Sequence, residues 1–430
     1  MAKINKFIAT YTDSIKTLDI PIHDSATPPK AVIHRFVRLL KDVDDTRLQG
    51  MVEYPLEEII LIAFLAVLGN ASTWAEMEFF GKSNQRWLKK FLKLKHGIPS
   101  HDTFRRVFAL IDTKQLQTAT ITFLMQNMHA IKKSLGITDS GYTLICVDGK
   151  EQRGTGRNYT NEDKISNLQT LHIYNASDEI CLHSAAIDEK TNEIPVAQEL
   201  LKTMNLKDCI ITFDALHTQR NTVEIIKNQK GHYVGGLKGN QGALQQEASL
   251  YFDDECKNFY KEKGDFYETV EKAHGKIERR SYYLVKAHQS AEVKKWKGLK
   301  GFVCFVKKME HIKTGKVNTE IRYYITSILD IELCAEAIRG HWGVENKLHW
   351  HLDYSFLEDD NTTMDKKAFN NYSLINKMVL SLCKLAKPIV GTPSIRILRK
   401  CFGWNYLEYI AQLLSCFDEE TIKNAMQIQK

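Results

Sequence analysis

The chain has 430 residues, which is enough for two or three domains, each with its own hydrophobic core. Hydrophobic residues make up 43% and charged residues 26%, as in an ordinary soluble globular protein. The net charge of +7 permits a nucleic-acid partner but is too small to require one.

The cysteines and the apolar runs indicate where the protein works. Nine cysteines are scattered along the chain without a CxxC pair, which is typical of free thiols in a reducing cytoplasm and not of a disulfide frame or a zinc ribbon. The opening residues lack the apolar core of a signal peptide. The longest apolar run, Ile59 to Leu68, is far shorter than the roughly 20 residues of a membrane helix. We therefore expect a cytoplasmic protein with no membrane partner.

Residues 1–135 are predicted to form a helical domain that binds DNA or assists the rest of the chain. The segment from Pro55 to Asn70 has proline near its start, two glutamates in its first turn and Gly-Asn at its end, all of which are helix-terminus signals. Because its middle is almost wholly apolar, we expect it to be the buried helix of a small bundle.

A candidate DNA-binding motif lies in the same domain. A helix over 84–95, a short turn with glycine and proline, and a second helix that opens at Ser100 or Asp102 resemble a helix-turn-helix. The second helix carries Arg105 and Arg106, which are therefore candidate DNA contacts. A basic helix face that is merely solvated explains these residues equally well.

From residue 141 the pattern changes to strands. The run Leu144–Val147 predicts a buried strand that ends on Asp148, after which Gly149 and Lys150 turn the chain away. A later strand ends on Asp214 in the same way. One acid at a strand end is most simply a solvated side chain. Two of them at buried strands call for a cation between them, and magnesium is the ordinary choice.

The order of elements predicts the fold class. Residues 141–241 read as β-β-β-α-β-α-β, with acids closing the first and fourth strands, which favours an α/β (α+β) fold of the ribonuclease-H-like type, a mixed sheet with helices on both faces. Residues 242–330 are predicted to be a β-rich insertion, and 331–430 the remaining helices of the catalytic domain. In the insertion, Arg279 and Arg280 could reach phosphates or guard a sheet edge.

The helix predicted over 332–356 offers a third carboxylate. His341, Glu345 and His349 follow each other at intervals of four residues and should share one face. Glu345 is the best third acid because it lies in the middle of the helix. The rival acids are Asp353, Glu358 and Asp359.

Two kinds of metal site are open at this point. Three carboxylates can hold two divalent ions roughly 4 Å apart, which together activate the attacking oxygen and stabilise the leaving one in phosphodiester chemistry. Alternatively, the HxxxExxxH pattern could bind zinc on one helix face, although it does not match the HExxH spacing of zincins.

Six blocks of sequence, in order, resemble the bacterial insertion-sequence transposases of the H-repeat-associated (ISAs-type) family. They are SHDTFRRVF, CVDGKEQRGTGR, FDALHTQ, YVGGLKGNQ, HGKIERR and IRGHWGVENKLHWHLDYSFLEDD, and the resemblance runs from about residue 40 to at least 385. It implies a DDE domain with a ribonuclease-H-like fold, Mg²⁺ that Mn²⁺ can replace, and cut-and-paste movement of double-stranded DNA. It places the catalytic and metal-binding acids on Asp148, Asp214 and Glu345.

The resemblance is incomplete around the last acid. A related group carries Tyr, Arg, Glu and Lys there, whereas this chain has Arg339 six residues before Glu345 and Leu352 seven residues after it. Arg339 is therefore expected only as a phosphate contact. Lys150, Lys238 and His349 are further candidate DNA contacts, although an ordinary structural role explains each of them at least as well.

The sequence leaves several readings of the activity open. Holding two element ends together suggests at least a dimer on DNA. The rival functions are a catalytically inactive repressor that binds the element ends and a metal-dependent nuclease that cuts without joining.

Overall fold

The computed structural model describes residues 3–15, 30–138, 141–156, 166–187, 192–263, 265–390, 394–415 and 417–418. The helices in these ranges are α1 (Phe7–Ile15), α2 (Lys30–Leu40), α3 (Leu56–Leu68), α4 (Trp74–Ser83), α5 (Gln85–Leu88), α6 (His101–Leu110), α7 (Thr113–Ser134), α8 (Glu193–Thr203), α9 (Arg220–Asn228), α10 (Gly242–Leu250), α11 (Asp254–Lys263), α12 (Ile331–Val344), α13 (Trp350–Tyr354), α14 (Lys366–Val390), α15 (Ile395–Trp404) and α16 (Tyr406–Ser415). The strands are β1 (Thr143–Gln152), β2 (Leu168–Asn175), β3 (Ile180–Ile187), β4 (Cys209–Phe213), β5 (His232–Leu237), β6 (Phe266–Ala273), β7 (Lys276–Lys286), β8 (Gly301–His311) and β9 (Val317–Thr326).

The described strands form one mixed sheet in the order β3-β2-β1-β4-β5-β9-β8-β7-β6. The pairs β1–β4 and β4–β5 are parallel, and the other neighbours are antiparallel. An antiparallel β1–β2–β3 meander followed by the parallel strands β4 and β5 is the ribonuclease-H-like arrangement, so the predicted fold class is confirmed.

The sheet is covered on both faces because its strands alternate between two cores. On β1, Leu144 and Cys146 belong to a core shared with α3, α12 and α14, whereas Ile145 and Val147 face a second core with α8 and α9. Side chains that follow each other along a strand point to opposite faces. The apolar run Leu144–Val147, which the sequence predicts to be a strand buried on both faces, is therefore buried on both faces of the sheet.

The prediction that the first strand ends at Asp148 is wrong. Its parallel pairing with β4 stops at Val147 opposite Phe213, but its antiparallel pairing with β2 continues to Gln152 opposite Leu168. Asp148 therefore lies where one neighbouring strand ends, not where its own strand does. β1 keeps going because β2 still supplies hydrogen-bonding partners on its other side.

The four strands between residues 266 and 326 extend the same sheet. β9 pairs antiparallel with β5, and β8, β7 and β6 follow outward. The predicted β-rich segment is present, and it adds strands to the edge of the central sheet. The domain limits assigned to it from the sequence stay a prediction.

The N-terminal helices pack against the last third of the chain. The predicted buried helix is α3, capped by Pro55 and Gly69, and α14 packs against α3, α6 and α7. The predicted helix over 84–95 is wrong, because α5 ends at Leu88. Beyond it Leu94 and Gly97 have φ angles of 47° and 81°, which an α-helix does not contain.

Among the described residues, no helix combines the length and apolar character that crossing a membrane would need.

Candidate active site

Asp148 and Asp214 lie side by side on neighbouring strands. The last parallel pair joins Val147 of β1 to Phe213 of β4, and each aspartate is the next residue along its chain. Adjacent strands are separated by about 4.8 Å, so the sheet holds the two acids at the same level. The pairing of β1 with β4 thus brings together two acids that are 66 positions apart in the sequence.

The carboxylate of Asp214 is held by the loop that follows it. The backbone N–H groups of Leu216 and His217 donate to Asp214 Oδ1, at 2.9 and 3.2 Å, and the Thr218 hydroxyl donates to the Asp214 carbonyl at 3.0 Å. This is the local hydrogen bonding by which an aspartate stabilises a tight turn. The carboxylate is oriented before any ligand arrives.

A second loop fixes the first. After β5, Asn240 and Gln241 donate their side-chain amides to the Ala215 carbonyl, at 2.7 and 2.8 Å, and Gln241 also donates to the Thr218 carbonyl at 2.9 Å. Because β4 and β5 are parallel, their loops leave the sheet at the same edge. The sequence blocks FDALHTQ and YVGGLKGNQ therefore meet at this edge.

Glu345 reaches this edge from a long helix. α12 runs directly into a π-turn, Glu345–His349, which continues into α13. His341, one turn before Glu345, shares a hydrogen bond with Thr212 of β4 at 3.1 Å, and His349 lies 3.8 Å from the Asp148 carboxylate. The exposed Glu345 thus lies between two side chains that touch the strands of Asp214 and Asp148.

The helix lies very close to β1. The Cys146 thiol donates to the Gly340 carbonyl at 3.5 Å, and a Cβ added to Gly340 would stand 2.1 Å from Leu144 Cδ2. Farther along β1, Lys150 Nζ lies 2.5 Å from the Asp353 carboxylate of α13. Along one face of β1, Leu144 and Cys146 therefore contact α12, and Lys150 contacts α13.

The three acids form a concentration of negative charge. Burial, together with the charges of Asp214 and Glu345, raises the pKa of Asp148 to about 7. Oxygen ligands of this kind suit a hard divalent cation, whose charge would offset the repulsion. Within the described residues, no three His, Cys, Asp or Glu side chains already converge as a ligand cage. The three carboxylates fit Mg²⁺ in kind and charge, and among the described residues neither they nor the histidines of this helix form a finished cage.

Two neutral histidines lie behind Asp148. His172 is opposite Asp148 in the β1–β2 register, and its Nδ1 shares a hydrogen bond of 2.8 Å with His349 Nε2. Burial lowers the pKa of His349 to about 3 and that of His172 well below its ordinary value. The pair can therefore carry a fixed N–H toward Asp148 without adding positive charge. From the sequence, His349 is predicted to contact a phosphate or, in the alternative, zinc, whereas His172, which lies 177 residues away, is not identified.

A fourth carboxylate supports the site from the other face of the sheet. Glu193, at the start of α8, lies 3.2 Å from His217 Nε2, and its carboxylate occupies the space where a Cβ on Gly149 would stand. Both residues were missed from the sequence, although His217 belongs to the FDALHTQ block. Their contact fastens the Asp214 loop to α8, and a side chain at position 149 would disturb it.

The rival third acids have other partners. Asp353 and Asp359 lie 2.5 and 3.6 Å from Lys150 Nζ, and the fully buried Glu358 accepts a hydrogen bond from Asn376 at 2.9 Å. Lys150 is buried as well. Its predicted phosphate contact would require these ion pairs to open.

The other predicted phosphate contacts differ in their surroundings. Lys238 is exposed at the end of β5, one strand from Asp214. Arg280 and Arg339 both pair with Glu271, at 3.0 and 2.5 Å, which ties α12 to β6 and β7. Arg279 pairs with a glutamate on β6. Arg339 is therefore exposed beside β6 and β7, Arg280 is mostly covered on the same face, and Arg279, the residue before Arg280 on β7, is exposed on the opposite face of the sheet.

The arginines of the predicted helix-turn-helix, Arg105 and Arg106, are exposed on α6. Arg105 lies 3.5 Å from the Asp102 carboxylate, and Arg106 donates to the Asp102 carbonyl at 3.3 Å. Contacts of this kind between exposed groups are weak, so both side chains can exchange them for phosphates.

Comparison with known proteins identifies the family. Residues 3–124 match the model of the DDE_Tnp_1-associated domain, and residues 139–382 match that of the transposase DDE domain. YncI of Escherichia coli O157:H7, provisionally named a transposase, is 33% identical over 398 residues, which cover 90% of this chain and 97% of YncI. YhhI of Escherichia coli strain K12, provisionally named an H repeat-associated transposase, is 31% identical over 370 residues, 85% of this chain and 94% of YhhI.

A solved structure, the piggyBac transposase synaptic complex with hairpin DNA, aligns over 93% of this chain and 84% of its own with 10% identity and a TM-score of 0.30, which is too low to bear on the fold. The two family matches and the two bacterial relatives are sufficient on their own. The chain belongs to the DDE transposases, in the H repeat-associated group.

Proposed function

We propose that the protein catalyses cut-and-paste transposition of an insertion sequence, with Asp148, Asp214 and Glu345 as its catalytic carboxylates. The observation that carries the proposal is the close grouping of the three carboxylates, seen in both their positions and their effect on the pKa of Asp148. The first two acids are neighbours in the sheet, and the charges of the second and third raise the pKa of the first to about 7. Like charges gathered in this way at the edge of a buried sheet are typical of a site that works with a bound cation.

The three carboxylates would hold two divalent ions, Mg²⁺ with Mn²⁺ able to replace it. Bound there, such ions supply Lewis-acid activation of the attacking and leaving oxygens of a phosphodiester. The protein contributes orientation: backbone N–H groups fix Asp214, the neutral His349–His172 pair lies against Asp148, and α12 carries Glu345 to the site. Strand cleavage and end joining would use the same site, since both are displacements at phosphorus.

The DNA would extend beyond this site along basic surfaces. Lys238 is the best placed phosphate contact, because it is exposed at the sheet edge that carries Asp214. Arg280 and Arg339 would offer a second surface beside α12, Arg279 would offer a contact on the opposite face of the sheet, and Arg105 and Arg106 would offer another surface on α6. Clustered lysines and arginines gain affinity by displacing the counterions of the phosphates.

Two further properties belong to the proposal. Two DNA ends would be held by at least two copies of the chain, so the working complex would be a dimer or larger on DNA. A cytoplasmic location agrees with the seven cysteines whose side chains the structure describes, which are free thiols and, except for Cys401, buried.

The direct test is cleavage and joining of a labelled DNA fragment that carries one element end with its flank, in Mg²⁺ or Mn²⁺. Asp148→Asn, Asp214→Asn and Glu345→Gln should each lower the cleavage rate by at least roughly a hundredfold, because each removes a charge from the metal site. Glu332→Gln, an exposed carboxylate at the start of the same helix, should cut at the wild-type rate.

The rival functions predict other results. Wild-type rates for Glu345→Gln would show that the third acid lies elsewhere, and Glu358, the next candidate, would have to leave Asn376 and its buried position to serve. A wild-type protein that binds the ends without cutting them would act as a repressor. One that cuts but never joins a pre-cut end would be a nuclease.

A further inference from the structure

An exposed aromatic stack lies on the helix that carries Glu345. The rings of Trp350 and Tyr354, one turn apart on α13, have centroids 4.6 Å apart and planes tilted by 23°. The Arg396 guanidinium, from α15, lies 4.6 Å from the Tyr354 centroid. Trp350 is 49% exposed and Tyr354 46%. The three groups, which we call the aromatic platform, therefore leave aromatic surface in solvent next to a fixed positive charge.

The π-turn places the aromatic platform on the side of Glu345. In an α-helix, with 3.6 residues per turn, a residue five positions later points away from the first. Here the Trp350 N–H donates to the Glu345 carbonyl, so five residues complete about one turn. Glu345 and Trp350 are both exposed, and the wider turn brings them toward one side of the helix. A regular α-helix would have separated them.

The neighbours of Trp350 fix its position relative to Asp148. His349, the residue before it, lies 3.8 Å from the Asp148 carboxylate. Asp353, three residues after it, pairs with Lys150, two residues beyond Asp148 on β1. Both flanks of Trp350 therefore touch the strand of the first aspartate, and the aromatic platform borders the place where a phosphate would react.

We propose that Trp350 stacks on an unpaired nucleobase of the DNA strand beside the phosphate that is cut. A nucleobase is a flat ring, and such rings stack on exposed aromatic side chains with little regard to sequence. Bases within a duplex have both faces covered by their neighbours, so only an unpaired base can use the aromatic platform. Arg396 strengthens the stack from behind and attracts the adjoining phosphates. The inference rests on the proposed function in that it takes DNA as the substrate.

The test measures binding without cutting. A duplex with a three-nucleotide unpaired tail, carrying 2-aminopurine at the junction, is compared in EDTA with the same duplex made blunt. Wild-type protein should bind the tailed duplex more tightly and quench its 2-aminopurine. Trp350→Ala should weaken binding of the tailed duplex about tenfold and remove the quenching, because one base stack is lost. Binding of the blunt duplex should not change.

Two further variants serve as controls. Trp350→Phe keeps a ring and should retain most of the affinity, which preserves the test if the alanine variant folds poorly. Trp404→Ala replaces a tryptophan that is 77% exposed at the end of α15 and should match wild type. The inference is overturned if Trp350→Ala binds and quenches the tailed duplex as wild type does. It is also overturned if the substitution changes only the molar mass in solution, since the surface would then join two copies of the chain.

The outcome is separable from that of the proposed function. A protein that loses tail binding with Trp350→Ala but never cuts DNA would support the stacking site and contradict the transposase chemistry. A protein that cuts while Trp350→Ala binds the tail normally would contradict the stacking site alone.

Discussion

Asp148 carries the largest electrostatic cost in the site. Its carboxylate is mostly buried, and two other acids act on it from β4 and from the helix above. A neutral histidine, not a cation, lies 3.8 Å away. The ionised Asp148 carboxylate therefore destabilises the metal-free protein. A bound cation would relieve this electrostatic repulsion, which favours cation binding.

We expect Asp148→Asn to stabilise the metal-free protein at neutral pH. The folded-state pKa of about 7 lies above the ordinary value of 3.8, so the folded state keeps its proton longer than the unfolded state does. Stability due to this group is complete below about pH 4, falls as the pH rises, and is fully lost above about pH 7. The melting temperature of the variant, measured in EDTA from pH 4 to 8, should exceed that of wild type by a growing margin that reaches about 2 °C or more.

The exposed Asp360→Asn is the matched control and should follow wild type at every pH. If Asp148→Asn melts at the wild-type temperature at pH 8, or gains its advantage only below pH 4, the charge concentration described around Asp148 does not exist.

The helix formed by α12, the π-turn and α13 is the element on which the site depends most. It reaches the sheet closely because Gly340 has no side chain where α12 crosses Leu144. Glu345 follows five residues later, so any shift of α12 displaces the third acid. The π-turn then sets which residues beyond Glu345 face the same way.

Gly340→Ala should push α12 away from β1, because its Cβ would lie 2.1 Å from a methyl group in the core. We expect a loss of about 1–3 kcal/mol in the free energy of unfolding, measured by urea titration, and slower DNA cleavage. Gly343→Ala, on the same helix, is the matched control. Its Cβ would meet only Lys347 Cδ at 3.8 Å, so the variant should gain about 0.5–1 kcal/mol from helix propensity.

The pair Gly340→Ala with Leu144→Ala should recover part of the loss, since the new methyl group would enter the space that Leu144 leaves. If Gly340→Ala and Gly343→Ala behave alike, close contact between α12 and β1 is not what positions Glu345.

Local patterns predicted the strands and most helices because each has a clear period or a clear terminus. The run around Cys146 and the caps of α3 are examples. The ends of β1 and α5 differ from the prediction where other segments contribute: β2 continues to pair with β1, and beyond α5 the backbone N–H groups of Lys93 and Leu94 donate to Glu58 of α3. The π-turn at Glu345 has no signature in hydrophobic spacing, because it arises where the helix fits against β1.

At the scale of the whole molecule, the site is the meeting point of segments from four parts of the chain. β1, β4 and β5 are parallel neighbours, so the ends of three sequence blocks meet at one edge, and α12 returns over them after the added strands β6–β9. This convergence follows from the fold, which the acids and element order predicted. The contacts of His172 with His349 and of Glu193 with His217 could not be predicted, since nothing local in the sequence connects the two members of either pair.

The most direct test of the central claim is calorimetric titration of the metal-free protein with Mn²⁺. If Asp148, Asp214 and Glu345 share one metal centre, wild type should bind two ions, and Asp148→Asn, Asp214→Asn and Glu345→Gln should each lose a site or at least about tenfold in affinity. Glu332→Gln should bind as wild type does. Equal stoichiometry and affinity for wild type and Glu345→Gln would contradict the account, because the helix would then contribute no carboxylate to the metal centre.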